Sequence, residues 1–277
     1  RCSKRRRSAG RFTRSSNMMP VVPLLLYGLA VGISLGLTGG GGSIITVPLL
    51  VYLVGEPVHV AIPTSLVIVG GTALAGYLGR ASVADTRSGL IVGLVGLFGA
   101  VPGRYAAEFF SGRVLLLLFA LIMLVASYFM FASKTYDAAG RTRPNWLSVA
   151  IVGISIGFLT GFLGVGGGFL IVPCLVLVLG MPMRAAIPTS LLVIAINCAS
   201  SLVGQALVAS HAASATTVAW GVAALFLVGG LAGSWVGGAL AAKLNQRALK
   251  RIFAVFVFAV GLFIAASTTG LIPVSVK

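Results

Sequence analysis

Two glycine clusters interrupt otherwise apolar stretches of this chain. One is Thr38-Gly39-Gly40-Gly41-Gly42-Ser43; the other runs Gly161-Phe162-Leu163-Gly164-Val165-Gly166-Gly167-Gly168. A helix that breaks at such a cluster and then restarts leaves N–H groups with no intrahelical partner, at the positive end of the new helix dipole. Those groups bind anions. Glycine also lets a ligand reach the main chain without a Cβ in the way. On this reading Thr38, Gly40, Gly41, Gly42, Ser43, Gly166, Gly167 and Gly168 are candidate substrate-binding residues. The competing reading is that the glycines let helices pack closely, as small residues do in membranes. For the two clusters, density and matched position favour the binding role. For Gly96, Gly99 and Gly103, and for Gly230, Gly233 and Gly237, packing is the expected role.

A second constellation is Pro63-Thr64-Ser65 and its copy Pro188-Thr189-Ser190. Proline suits the first turn of a helix. The hydroxyls of Thr64, Ser65, Thr189 and Ser190 could face a solute path or cap the second and sixth long apolar runs, and one hydroxyl can do both. Asn197 is the amide deepest inside an apolar run. A polar group there is a functional candidate by default, with a helix–helix hydrogen bond as its rival role.

Other chemistries have no residues to support them. There is no metal-ligand cluster, no Ser/His/Asp set and no carboxylate pair, so neither an enzyme, a metal site nor a cofactor is expected. No GxxxxGK[ST] phosphate loop occurs, which speaks against an ATP-driven machine. No acidic residue falls in the middle of an apolar run, and a proton-coupled cation carrier usually needs one. The three cysteines, Cys2, Cys174 and Cys198, have no CxxC spacing and form no disulfide framework.

These residues need a membrane to hold them. Hydrophobic residues make up 58% of the 277 and charged residues 9%, against about 25% in a soluble domain. The acids number four, Glu56, Asp85, Glu108 and Asp137, against 20 Lys and Arg. No charge occurs between Arg14 and Glu56, from Ser88 to Gly103, from Val114 to Ser133, from Pro144 to Met183 or from Ile252 to Val276. Spanning a bilayer takes about 20 apolar residues per helix. Continuous apolar runs rule out the alternation of a barrel. The expected fold is all-α: a polytopic membrane protein with eight spans at about 21–39, 60–79, 88–106, 113–132, 146–163, 185–205, 215–241 and 249–268. Half-length pieces at about 43–54 and 168–180 follow the first and fifth. As one helix, residues 21–54 would measure about 51 Å at 1.5 Å per residue. The hydrocarbon core is about 30 Å thick, so the run must bend back, break or re-enter at its glycines.

Net charge is +16, but the basic residues are spread along membrane edges with no aromatic platform, so nucleic acid is not an expected partner. Basic flanks are what the positive-inside rule requires. The lipid bilayer and a small anionic solute are the expected partners, and a homo-oligomer is left open. Residues 1–19 read as a basic disordered tail, with an organelle transit peptide as an alternative. The location is accordingly the cell (inner) membrane, or an organelle membrane if the tail is a transit peptide.

The chain is a duplication. Pro48 to Pro57 matches Pro173 to Pro182, and Ala61-Ile-Pro-Thr-Ser-Leu66 is identical to Ala186-Ile-Pro-Thr-Ser-Leu191, both at an offset of 125. Further on, Gly96, Gly99 and Gly103 match Gly230, Gly233 and Gly237 at an offset of 134. The first repeat covers about 20–133 and the second about 146–270. A loop at 134–145 joins them and a tail at 271–277 follows. Matched helix breaks in duplicated halves mark the binding site of a secondary transporter.

The stretches Gly166-Gly167-Gly168-Phe-Leu-Ile-Val-Pro173 and Gly40-Gly41-Gly42-Ser-Ile-Ile-Thr-Val-Pro48, with Ala-x-x-Thr-Ser-Leu and the Gly-rich third run, resemble the TauE/SafE family of membrane proteins. The resemblance covers about residues 20–270. It implies a permease, with relatives regarded as exporters of sulfite or small organosulfonates. Two features depart from the family pattern. The first copy lacks four residues of the second between its leading glycines and the proline, and Pro63 and Pro188 stand where many relatives have Gly or Ala. A non-transporting scaffold or receptor and an anion channel are the rival functions.

Overall fold

The computed structural model describes residues 21–107, 109–110, 112–132, 146–163, 168–211 and 218–268. These form helices α1 (Val21–Thr38), α2 (Gly41–Tyr52), α3 (Val58–Leu78), α4 (Thr86–Ala107), α5 (Gly112–Ala132), α6 (Trp146–Leu163), α7 (Gly168–Leu177), α8 (Met183–His211), α9 (Trp220–Lys243) and α10 (Gln246–Thr268). Six of them are by themselves long and apolar enough to cross a membrane. The eight long helices stand where eight spans are expected, and α2 and α7 are the two half-length pieces. The protein is a multi-pass, all-helical membrane protein.

The glycines show which helices pair and in which direction. Along α1, Gly28 lies on Phe226, Gly32 on Gly230 and Gly36 on Ser234, so α1 and α9 run parallel. In the other half, Gly99 lies on Ile154 and Gly103 on Phe158, so α4 and α6 run parallel as well. These are the two most extensive helix pairs, and each joins one copy to the other. In both, a Cβ on the glycine would strike a main-chain carbonyl of the neighbour. Lipid tails are as apolar as leucine, so close backbone approach takes the place of a hydrophobic driving force. The expected packing role of Gly96, Gly99, Gly103, Gly230, Gly233 and Gly237 is borne out, Gly230 packing on Thr72 of α3.

Helices α3 and α8 are the same element of the two copies, and they touch. Gly70 lies on Cys198 and Gly76 on Leu191, so they cross antiparallel. Equivalent helices that meet antiparallel are related by a two-fold axis perpendicular to both. For spanning helices that axis lies in the membrane plane, and the repeats are inverted.

The break turns α1 and α2 into a hairpin. Gly71 on Leu227 and Gly76 on Ser234 show α3 parallel to α9, and therefore to α1. Helix α2 returns between them. Gly42 at its start packs on Val31 and Leu35 of α1, while Leu50 near its end clusters with Leu24 and Ala61 at the starts of α1 and α3. Gly55 (φ 78°) and Gly180 (φ 65°) stop α2 and α7 alike. Beyond each left-handed glycine the chain turns back on the helix end, the Glu56 N–H donating to the Leu50 carbonyl and that of Met181 to Leu175.

Candidate functional site

Gly39 takes a left-handed turn (φ 74°) that ends α1 and starts α2 two residues later. The Thr38 hydroxyl binds both ends of that turn, accepting from the Gly41 N–H at 2.9 Å and donating to the Ser34 carbonyl at 2.6 Å. The Ser190 Oγ of α8 lies 2.7 Å from the Gly39 carbonyl oxygen, which ties the first break to the second copy. Gly40 packs on the Gly168 carbonyl at the start of α7. A Cβ at Gly168 would stand 2.7 Å from the Ser43 hydroxyl. Ser43 and Gly168 are the same position in the two copies. Equivalent positions that touch lie at the pseudo-two-fold axis.

Helices α3 and α8 cross close to Gly71 and Ile196, between the contacts made by Gly70 and Gly76. Gly168 packs on Ile194, two residues and about 3 Å from that crossing. The starts of α2 and α7 therefore meet at the centre of the molecule. From there the two short helices, 12 and 10 residues long, run to opposite faces. At about 18 and 15 Å each covers about half of the hydrocarbon core.

Of the candidate residues, Gly40, Ser43 and Gly168 meet at this centre, with Gly41 and Gly42 beside them at the start of α2. Thr38 and Ser190 hold the turn at Gly39, about 9 Å along α8 from the crossing. Gly41 packs on the Phe256 ring of α10 and on the Thr38 hydroxyl, and Gly42 on α1. Gly166 and Gly167 lie outside the described residues, as do Gly164 and Val165, while Gly161, Phe162 and Leu163 end α6. Ser65 is the copy of Ser190 and binds the Ile62 carbonyl at 2.7 Å. Half-buried Asn197 occupies the position of Thr72 in the first copy, at the α3–α8 crossing.

Thr64 and Thr189 sit elsewhere and make a matched pair of ties. The Thr64 Oγ1 accepts from the Ala219 N–H at 3.1 Å, and the Thr189 Oγ1 accepts from the Asp85 N–H at 2.9 Å. Ala219 and Asp85 immediately precede α9 and α4. Each threonine thus serves a helix start in the other copy while donating to a carbonyl of its own helix, Val60 for Thr64 and Ala185 for Thr189. Of the two expected roles, capping the start of its own span is not the one seen, because both sit well past that start. Pro63 and Pro188 lie six residues into α3 and α8, beyond the first turn where proline is expected, because those helices start after Pro57 and Pro182.

Four buried polar atoms have no hydrogen-bond partner among the described residues: Ser34 Oγ, Thr160 Oγ1, Ser234 Oγ and Arg80 Nη2. Ser34 lies about one turn before the first break and Thr160 one turn before Gly164. None of the four was singled out from sequence. The signal for Arg80 was available: it is the charge just past the end of the second span, and the second copy has Gln205 in its place.

The family described as "Sulfite exporter TauE/SafE" matches residues 24–264. A "Probable membrane transporter protein" of Xylella fastidiosa is 37% identical over 244 residues, covering 84% of this chain and 90% of that protein. The "Probable membrane transporter protein YunE" of Bacillus subtilis is 31% identical over 256 residues, covering 83% and 90%. A third relative, "Probable membrane transporter protein MJ0441" of Methanocaldococcus jannaschii, is 25% identical over 188 residues, covering 65% and 70%. With its inverted repeats and its two breaks meeting at the centre, the chain belongs to the TauE/SafE family of membrane transporters.

Proposed function

We propose that this transporter is a secondary permease for small anions that exports sulfite or small organosulfonates across the cell membrane, binding them at the two helix breaks. The observation that carries the reading is the meeting of α2 and α7 at the pseudo-two-fold axis, each with its N-terminal end toward the centre. Two positive dipole ends converging on one place favour an anion over a cation. The family's description names sulfite, and sulfite and sulfonates are small oxyanions that suit N–H and O–H donors.

The hydroxyls around the breaks supply the rest. Ser43 donates to the Gly40 carbonyl and Ser190 to the Gly39 or Ile187 carbonyl, each at 2.7 Å. Toward a solute such hydroxyls show lone pairs until they rotate. Rotation turns them into donors at the cost of a hydrogen bond within the helix, about 1 kcal/mol each. The unpartnered hydroxyls of Ser34 and Thr160 carry no such cost. The break-on-break contact has main chain on both sides, so a solute at the centre separates the breaks. Alternating access then follows from one copy rocking against the other around the axis.

The test is uptake of labelled sulfite, methanesulfonate, sulfate, phosphate and chloride into proteoliposomes. Saturable uptake with counterflow of one sulfur oxyanion supports the permease. Non-saturable conductance makes it a channel. Absence of flux from well-folded protein makes it a scaffold or receptor.

A further inference from the structure

The least expected group in this fold is the guanidinium of Arg80. It stands two residues past the end of α3 and about 13 Å along the helix from the α3–α8 crossing. That places it near one edge of the hydrocarbon core, on the side to which α1 runs. It is turned into the protein. Its Nη1 donates to the Gly36 carbonyl of α1 at 3.0 Å, and its Nε to the Gly76 carbonyl at 3.4 Å. A Cβ at Gly238 of α9 would stand 3.0 Å from the Arg80 Cζ. A guanidinium keeps its proton in proteins, so the group is cationic.

One arm of this cation is unused. The Arg80 Nη2 is buried and has no partner among the described residues. The Ser234 Oγ of α9 is likewise unpartnered, on a residue only 1% exposed. Both are close to one point: a Cβ built on Gly76 would touch the Ser234 hydroxyl and lie 3.7 Å from the Arg80 Nη2. No carboxylate among the described residues neutralises the arginine. Asp85, the nearest acid in the chain, uses its carboxylate on the N–H and hydroxyl of Ser88 at the start of α4. A buried guanidinium with unsatisfied N–H groups is costly to a fold unless an anion completes it.

The duplication shows that packing alone does not require the pair. At the matching positions of the second copy, Gln205 replaces Arg80 and Ala100 replaces Ser234. Because the repeats are inverted, those positions lie toward the opposite membrane face. The charged pair belongs to one face only.

We infer that Arg80 and Ser234 form an anion-binding subsite on one side of the membrane, where a sulfur oxyanion is held between the Nη2 of Arg80 and the hydroxyl of Ser234 on its way to or from the breaks. With Nη1 and Nε committed to carbonyls, the N–H groups of Nη2 and the Ser234 hydroxyl remain to donate to separate oxygens of one sulfite or sulfonate group. The Nη1 contact to Gly36, three residues before Gly39, links the subsite to the end of the helix that breaks. This inference rests on the anion-permease reading and adds to it a face at which the solute is first held.

The experiment measures equilibrium binding of labelled sulfite to the full chain in nanodiscs, for the wild type, Ser234→Ala, Arg80→Lys and Arg80→Gln. Methanesulfonate, sulfate, phosphate and chloride serve as competitors. Ser234→Ala removes one donor and is expected to weaken binding about tenfold. Arg80→Lys keeps the charge but loses the Nη2 donors that the carbonyl contacts of Nη1 and Nε hold in place, and should weaken binding by about as much. Arg80→Gln should remove the subsite's share of the binding and leave only sulfite held at the breaks. If Arg80→Gln does not fold, Ser234→Ala and Arg80→Lys carry the test. Wild-type affinity in both of those variants overturns the subsite while leaving the permease reading standing. A wild type that binds none of the five anions overturns both.

Discussion

Two regions of this molecule are equally rich in glycine and use it for opposite ends. Along the α1–α9 and α4–α6 seams the glycines sit inside long, unbroken helices, and most face a carbonyl of the neighbouring copy. At the first break they fall between helices: Gly39 turns left-handed, Gly40 meets the other break, and a half-length helix starts at the axis. The seams hold the copies together, whereas the break places helix ends at the centre. Glycine content alone does not separate these roles; the position of each glycine relative to the helix ends does.

That contrast predicts where a side chain does most harm. Gly157→Val in the seam pushes a side chain into the Gly96 main chain, which no rotamer change relieves. The expected cost exceeds about 3 kcal/mol, the upper end of ordinary overpacking. The variant should fail to give monodisperse protein in detergent; a normal melting temperature would show that the seam is looser than described.

A break variant should separate activity from folding. Gly41→Ala meets the Phe256 ring, 2.5 Å from the new Cβ, and the Thr38 hydroxyl at 2.8 Å; the ring can turn aside, and the hydroxyl gives by a few tenths of an ångström. We expect a folded protein that has lost at least tenfold in sulfite flux, about 1.4 kcal/mol in transition-state terms. Gly167→Leu should do the same in the second break. Normal flux in both variants would make the breaks packing features and place the site elsewhere.

The threonine ties give the smallest effect and sharpen the symmetry. Thr64→Val and Thr189→Val each remove one acceptor at a helix start in the other copy. Each should cost about 1 kcal/mol, and the two costs should add because the ties lie on opposite sides of the α3–α8 crossing. Thermal unfolding of the single and double variants in nanodiscs measures this. Strongly unequal losses would show that the two ties do different work.

Much of this fold is legible in the sequence, for a physical reason. A bilayer demands continuous apolar runs, so charge-free stretches mark the helices, and a 34-residue run too long for one crossing must break at its glycines. The repeat at an offset of 125 shows that α2 has a counterpart in α7. Contacts between copies are not legible in the same way. A residue's spacing along a helix tells which face it occupies but not which helix lies opposite. Nothing local to Thr64 indicates that it serves Ala219, 155 residues away. Nothing local to Ser234 places it beside Arg80. The direction of the repeats was hidden for a related reason: it depends on α2 folding back along α1, and hydropathy cannot tell a returning half-helix from a crossing one. Within the site, the glycines and Ser43 were readable from their density, while the orphaned hydroxyls of Ser34 and Thr160 sit in runs that look purely apolar.

The central claim is that the centre between the two breaks passes an anion, and flux under a clamped potential tests it most directly. No described acidic residue lies inside a helix to carry a coupling proton, Glu56 and Asp85 standing in connections, so the account predicts uncoupled, electrogenic movement. A potential of 100 mV contributes about 2.3 kcal/mol per charge, roughly a 50-fold gradient for a monoanion. Labelled sulfite flux should be measured in proteoliposomes clamped with potassium and valinomycin. The account predicts saturable flux whose direction and size follow the clamp. Flux that ignores the clamp and follows an imposed pH gradient, or no flux above that of empty vesicles, would contradict it.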